Sequence, residues 1–138
     1  MLDASPTGVP LGAAETAAAI DACLTCVQSC TSCANADLFE ADLAEMRACI
    51  ALCTDCADVC GLLVRILSRP AQLDHVVAHR LLQACIRQCA LCAAECASHA
   101  EHHRHCAICA KACRACEAAC RALLDAEALE ELEKLAGG

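Results

Sequence analysis

Aromatic residues are almost missing from this chain: one Phe, at position 39, and no Trp or Tyr among 138 residues. Pro (three) and Gly (five) are also scarce. Strands draw on aromatic and β-branched residues, and the turns between them on Gly and Pro, so an all-β sandwich or barrel is disfavoured. Basic residues are outnumbered, 10 Lys and Arg against 18 Asp and Glu, for a net charge of −8. That balance argues against nucleic acid as a partner. No run of 18 uncharged apolar residues occurs, so no transmembrane helix and no membrane partner are expected. The first twenty residues, MLDASPTGVPLGAAETAAAI, hold no Lys or Arg and carry Asp3 and Glu15. They do not read as an export signal, and a twin-Arg pair is absent. The expected location is the cytoplasm, where thiols stay reduced.

What is present is helix-forming and rich in sulfur. Apolar residues make up 59% of the chain, which disfavours disorder. Ala, Leu, Glu and Arg favour helix. Seventeen residues are Cys, above the roughly 8–10% that already marks an unusual composition. An odd number forbids complete pairing within the chain, and Cys-rich cytosolic sequences more often bind metal than form disulfides.

Residues 1–10, with Pro6, Gly8 and Pro10, read as a flexible lead, residues 11–135 as a bundle, and residues 136–138 as a short tail. Helical stretches are predicted from about Leu11 to Ala36, Ala41 to Leu67, Ala71 to His99, and from the His99–His105 turn to about Leu135. Ser68-Arg69-Pro70 is a break, with Pro70 suited to the first turn of the third helix. Short connections between long helices imply antiparallel neighbours, hence an all-α, up-down four-helix bundle.

The cysteines follow this division. The first helix carries Cys23, Cys26, Cys30 and Cys33, and the second Cys49, Cys53, Cys56 and Cys60. The third carries Cys85, Cys89, Cys92 and Cys96, and the fourth Cys106, Cys109, Cys113, Cys116 and Cys120. Every step is three or four residues, so each helix bears one stripe of thiols at heptad positions where Leu would ordinarily sit. An isolated Cys on an apolar stripe is ordinarily a small buried hydrophobe. A whole array of them is not an ordinary core, because bundles fill these positions with larger side chains.

Charge selects the metal such a core would hold. Loading turns thiols into thiolates, and unpaired buried charge is costly. Monovalent ions at about one per thiol neutralise the array, whereas Zn²⁺ at about four thiolates per ion leaves a large negative excess. Soft thiolates suit Cu(I), which accepts two or three sulfurs. Fe–S clusters fit less well, since no Cys here is followed by Pro as in the common cluster-binding run. A dithiol redox role fits less well again, because the CxxC pairs lack a βαβ setting.

The two ends of the bundle differ. At one end the stripes extend to Asp37, to Met46 and Asp42, to His99, and to His102 or His103, with His105 close by. At the other they run into Ala19, Leu63, Leu67, Leu82 and Leu123, with His75 and His79 nearby. The first end reads as an entrance lined by weaker Cu(I) donors, the second as a plug. Candidate metal-binding residues are therefore the seventeen Cys together with Met46, His99, His103 and His105.

The segments CLTCVQSCTSC, CIALCTDCADVC, CIRQCALCAAEC and HAEHHRHCAICAKACRACEAAC cover nearly the whole bundle. In them the chain resembles the bacterial copper storage proteins, and its lack of an export signal is similar to their cytosolic class. The resemblance implies storage of many Cu(I) ions, with CxxxC pairs such as Cys49/Cys53 and Cys92/Cys96 chelating an ion and CxxC pairs bridging neighbours. It also implies His at the open end and a homotetramer. Asp37 stands where some relatives are expected to place another Cys. No catalytic constellation appears, so the chain is not expected to be an enzyme. A metallothionein-like Zn/Cd buffer and a copper chaperone are the alternatives.

Overall fold

Cys at heptad spacing gives each helix an apolar stripe too narrow to be stable alone, so the stripes must be buried against one another. The computed structural model describes residues 12–137, leaving aside the side chains of residues 129 and 132. Four α-helices carry the chain: α1 (Ala13–Asp37), α2 (Leu43–Leu67), α3 (His75–Ser98) and α4 (Arg104–Gly137). α1 packs on α2 and α4, and α3 packs on the same two, so the four form a square with α1 opposite α3. The lead expected over residues 1–10 lies outside the described residues.

Three short connections make the neighbours antiparallel. Leu38, Phe39 and Glu40 donate backbone N–H groups to Asn35, Ala36 and Asp37, winding α1 down before α2 starts. Between α2 and α3 the structure departs from the sequence expectation. Pro70 opens a separate 3-10 turn, Pro70–Gln72, rather than the first turn of α3. The third helix starts later, at His75, because Asp74 caps it: its carboxylate accepts the Val77 N–H at 3.0 Å. Such a cap satisfies one of the helix's orphan donors. α4 also runs further than expected, to Gly137. Nothing in its sequence breaks a helix before the terminal glycines.

The helices are unequal. α4 has 34 residues against 25, 25 and 24 for the others, so it overhangs the end where α3 begins by roughly two turns. That end is closed by Leu63, Leu67, Leu82, Leu123 and Ala19, all buried. Above this plug the core is almost entirely sulfur. All seventeen cysteines are free and buried, and Met46 is fully buried beyond them at the start of α2.

Candidate metal centre

Each thiol is placed by its helix. Residues three and four apart on one face start from Cβ atoms about 5–6 Å apart, and the short Cys side chain brings their sulfurs closer. Cys26 and Cys30 stand 3.7 Å apart, Cys49 and Cys53 3.9 Å, and Cys109 and Cys113 4.0 Å. Between helices the distances are equally short. Cys23 lies 3.5 Å from Cys116, Cys30 3.6 Å from Cys113, and Cys60 3.7 Å from both Cys85 and Cys89. Contacts also cross the diagonals of the square. Cys30 on α1 meets Cys92 on α3 at 3.9 Å, and Cys53 on α2 meets Cys109 on α4 at 3.8 Å. Larger core residues would keep opposite helices from touching, so the small thiol is what brings the sulfur to the axis.

The sulfurs group in fours. Cys23, Cys60, Cys85 and Cys116 lie within 4.8 Å of one another, as do Cys26, Cys56, Cys60 and Cys89. The same holds for Cys26, Cys30, Cys56 and Cys113, for Cys30, Cys92, Cys109 and Cys113, and for Cys33, Cys53, Cys96 and Cys109. Successive groups share members: Cys60, then Cys26 and Cys56, then Cys30 and Cys113, then Cys109. These are overlapping sites along one column rather than separate tetrahedral pockets.

One end of the column is polar. Asp37, fully buried, lies 4.0 Å from the sulfur of Cys33 and 3.7 Å from that of Cys106. Burial, then a hydrogen bond with Cys49 and the nearby Cys33, pushes its carboxyl up to about 7. Its Oδ2 has no partner among the described residues. Burial likewise pushes the Cys106 thiol up, and Cys33, Cys49 and Asp37 add to the effect.

His105 bridges this interior to the outside. Its Nδ1 lies 3.3 Å from the Cys33 sulfur, 3.6 Å from Cys106 and 3.6 Å from Asp37, while its Nε2 meets Glu40 at 3.1 Å. Burial works against its charged form, but hydrogen bonds with Cys33 and Glu40 prevail and raise it above the usual imidazole range. His103 stands beside it, with ring centroids 5.5 Å apart. It contacts Glu40 at 3.3 Å and Asp42 at 3.2 Å. Asp42 precedes α2 but makes no side-chain cap; its carboxylate faces His103 instead and is held below the usual range by that hydrogen bond.

Of the residues singled out from the sequence, the structure brings the seventeen Cys, Asp37 and His105 into one connected cluster, with His103 and Asp42 at its rim. His99 lies at the same end but turns back along α3 to Glu95, 2.6 Å away. The i,i+4 spacing of Glu95 and His99 carries that pairing. His102 is exposed. Glu40 was not singled out, although its place in the turn between the first two helices puts an acid at the His-bearing end.

Comparison with known proteins agrees with this geometry. A copper storage protein from Streptomyces lividans, its structure loaded with 10 copper equivalents, is 44% identical with a TM-score of 0.86, covering 91% of this chain and 96% of that one. A structure of copper loading to a cytosolic copper storage protein of Streptomyces lividans, with five coppers, is 47% identical with a TM-score of 0.80, over 81% and 93%. The Cu(I)-bound copper storage protein BsCsp3 is 32% identical with a TM-score of 0.71, over 80% and 98%. The family model described as copper storage protein matches residues 13–125.

Proposed function

This chain belongs to the copper storage protein family, and from that premise we propose that its core takes up about one Cu(I) per thiol through the His103/His105 end. It stores Cu(I) on Cys thiolates inside the bundle and so buffers copper against its toxicity. The observation that carries the stoichiometry is the overlap of the four-thiol groups. A Zn²⁺ ion needs about four thiolates to itself, and groups that share Cys26, Cys30, Cys56, Cys60, Cys109 and Cys113 cannot all be filled that way. A Cu(I) ion needs two or three sulfurs, and a shared thiolate serves two ions as a bridge.

Before loading, the buried thiols pack as small hydrophobes and the bundle is folded while empty, unlike a zinc finger. The entrance reading rests on chemistry at the two ends. His103, His105, Glu40 and Asp42 offer an arriving cation imidazole and carboxylate donors that reach the thiols directly, whereas at the far end the leucines stand between the column and the surface. His105, in contact with both Glu40 and Cys33, is the bridge from surface to column. Met46 and His99 complete that end. The family's role is storage, and this chain is read as non-catalytic, cytosolic and, by resemblance to its family, a homotetramer.

Anaerobic titration of reduced protein with Cu(I) against a competing chelator, with Zn²⁺ in parallel, tests the capacity. Uptake near one Cu(I) per thiol is expected, with few Zn²⁺ bound and those displaced by copper; uptake of one or two Cu(I) would favour a chaperone instead. For the entrance, His103→Ala with His105→Ala is expected to slow loading about tenfold or more in stopped-flow, since each removes a donor on the path, while leaving the final capacity within about two ions. Unchanged rates would place the entrance elsewhere.

A further inference from the structure

The end of the bundle opposite the histidine pair holds a second set of ligating side chains that the copper column does not use. α3 begins there with His75 and, one turn on, His79. The last turns of α4 carry Glu127, level with the start of α3, and, one turn on in the overhang, Glu131. The i,i+4 spacing puts each pair on one helix face. All four line one open groove of about 750 Å³, with Val76 and Leu135 among its walls. The His75 Nδ1 lies 3.0 Å from Oε1 of Glu127 and 3.8 Å from Oε1 of Glu131. The Glu127 side chain is only 4% exposed, and its Oε2 has no partner among the described residues.

A buried carboxylate oxygen without a partner is costly, and a buried charge is found paired or on a metal. His75 satisfies one oxygen of Glu127 and leaves the other. Arg80 also lines the groove, but its guanidinium donates to Gln83 at 3.2 Å. We propose that His75, His79, Glu127 and Glu131 form a second metal site, for one divalent transition cation of the Zn²⁺ class, separate from the Cu(I) thiols.

Three features support this choice of ion. Zn–N and Zn–O bonds of about 2.0–2.2 Å put two donors on a tetrahedral ion about 3.3–3.5 Å apart, and the His75 distances fall on either side of that value. Two carboxylates and one divalent ion sum to zero charge, which a monovalent ion would not achieve. Imidazole and carboxylate suit Zn²⁺, whereas Cu(I) prefers the sulfur a short way up the bundle. On binding, His75 gives up its hydrogen bond to Glu127 and passes to the tautomer with the proton on Nε2. Glu127 then holds the ion through its carboxylate, which replaces the hydrogen bond lost at Oε1 and gives Oε2 the partner it lacks. The ion would fasten the start of α3 to the overhang of α4 beneath the leucine plug.

The test saturates the full-length protein with Cu(I), so that the thiols are occupied, and then titrates Co²⁺ anaerobically as a spectroscopic stand-in for Zn²⁺. One Co²⁺ per chain is expected, with a tetrahedral d–d spectrum and no thiolate-to-cobalt charge-transfer band. His79→Ala and Glu131→Gln change side chains that are not buried, and each is expected to weaken Co²⁺ binding by at least about tenfold without changing the Cu(I) capacity of the same samples. No Co²⁺ uptake, uptake that both variants retain at full affinity, or a spectrum carrying the thiolate band would each overturn the proposal. The Cu(I) capacity read alongside keeps that outcome distinct from a failure of copper storage itself.

Discussion

Replacing Cys30, Cys92, Cys109 and Cys113 together with Ala is expected to remove more Cu(I) than the four thiols deleted, about five to seven ions at roughly one per thiol with bridging neighbours included. The four sulfurs lie within 4.8 Å of one another and draw on α1, α3 and α4. Their loss reaches further. Cys53 loses Cys92 at 3.7 Å and Cys109 at 3.8 Å, and Cys26 loses Cys30 at 3.7 Å and Cys113 at 3.8 Å. A thiol stripped of its neighbours can no longer share a bridged ion. The deletion also interrupts the column between the polar end and the thiols next to the plug, so loading should split into a fast phase and a slow one. Each Cys→Ala change costs about 1 kcal/mol of burial and packing, so the reduced bundle should still fold, as circular dichroism would verify. Native mass spectrometry of anaerobically loaded protein gives the count. A loss of four ions or fewer, with single-phase loading, would mean that the thiols bind one by one and that no bridging couples them.

The second large effect concerns Asp37 in the reduced, metal-free protein. Its carboxyl is pushed up to about 7, chiefly by burial and by its hydrogen bond with Cys49, from an ordinary value of 3.8. The folded state therefore holds this proton over a range where the unfolded chain has released it. Stability must fall as pH rises between about 4 and 7, with the penalty complete above 7 and absent below 4. The neighbouring His105 lowers the shift but does not cancel it. Asp37→Asn removes the titrating group and is expected to stabilise the apo-protein at pH 8 by about 2–4 kcal/mol, a tenfold change in the folding constant being about 1.4 kcal/mol. In Tm this amounts to about 5–15 °C. At pH 4.5 the gain should be small. Thermal melts with a chelator and a thiol reductant decide it: an equal gain at both pH values would assign the effect to packing rather than ionisation.

How far the fold could be read in advance depended on which signals are periodic. The four thiol stripes repeat at steps of three and four, and a pattern of that length overrides every local ambiguity. The helices, their antiparallel order and the convergence of Asp37 with His105 all follow from it. What escaped were features that depend on a single residue. Pro70 suits the first turn of an α-helix as readily as a 3-10 turn, and only the Asp74 cap four residues later moves the start of α3 to His75. His99 continues its stripe to the polar end, yet Glu95 one turn back captures its ring. Thr16 and Glu127 were not anticipated as buried residues because polar side chains at core positions interrupt the very pattern that identifies a core. In the structure Thr16 is buried with its hydroxyl donating to the Gly12 carbonyl at 2.7 Å, and Glu127 is buried against His75.

The leucine plug has a consequence for how the helices find their alignment. The thiol pattern is nearly degenerate under translation. Sliding α1 by seven residues, about 10 Å, lays Cys30 where Cys23 was and Cys33 where Cys26 was. The same slip on α2, α3 or α4 again sets Cys on Cys. The sulfur layers therefore give cohesion without an address. The address comes from residues that do not repeat: Leu63, Leu67, Leu82 and Leu123 at one end and Asp37 at the other, all buried in this alignment. A slipped helix would pull its leucines out of the plug, at about 1.5–3 kcal/mol for each side chain returned to water, or drag the carboxylate of Asp37 into the sulfur column. The plug thus works as a vernier against which the uniform scale of thiols is read. Copper that arrived before the leucines had met would fix a misaligned bundle in place, so folding has to finish before filling begins.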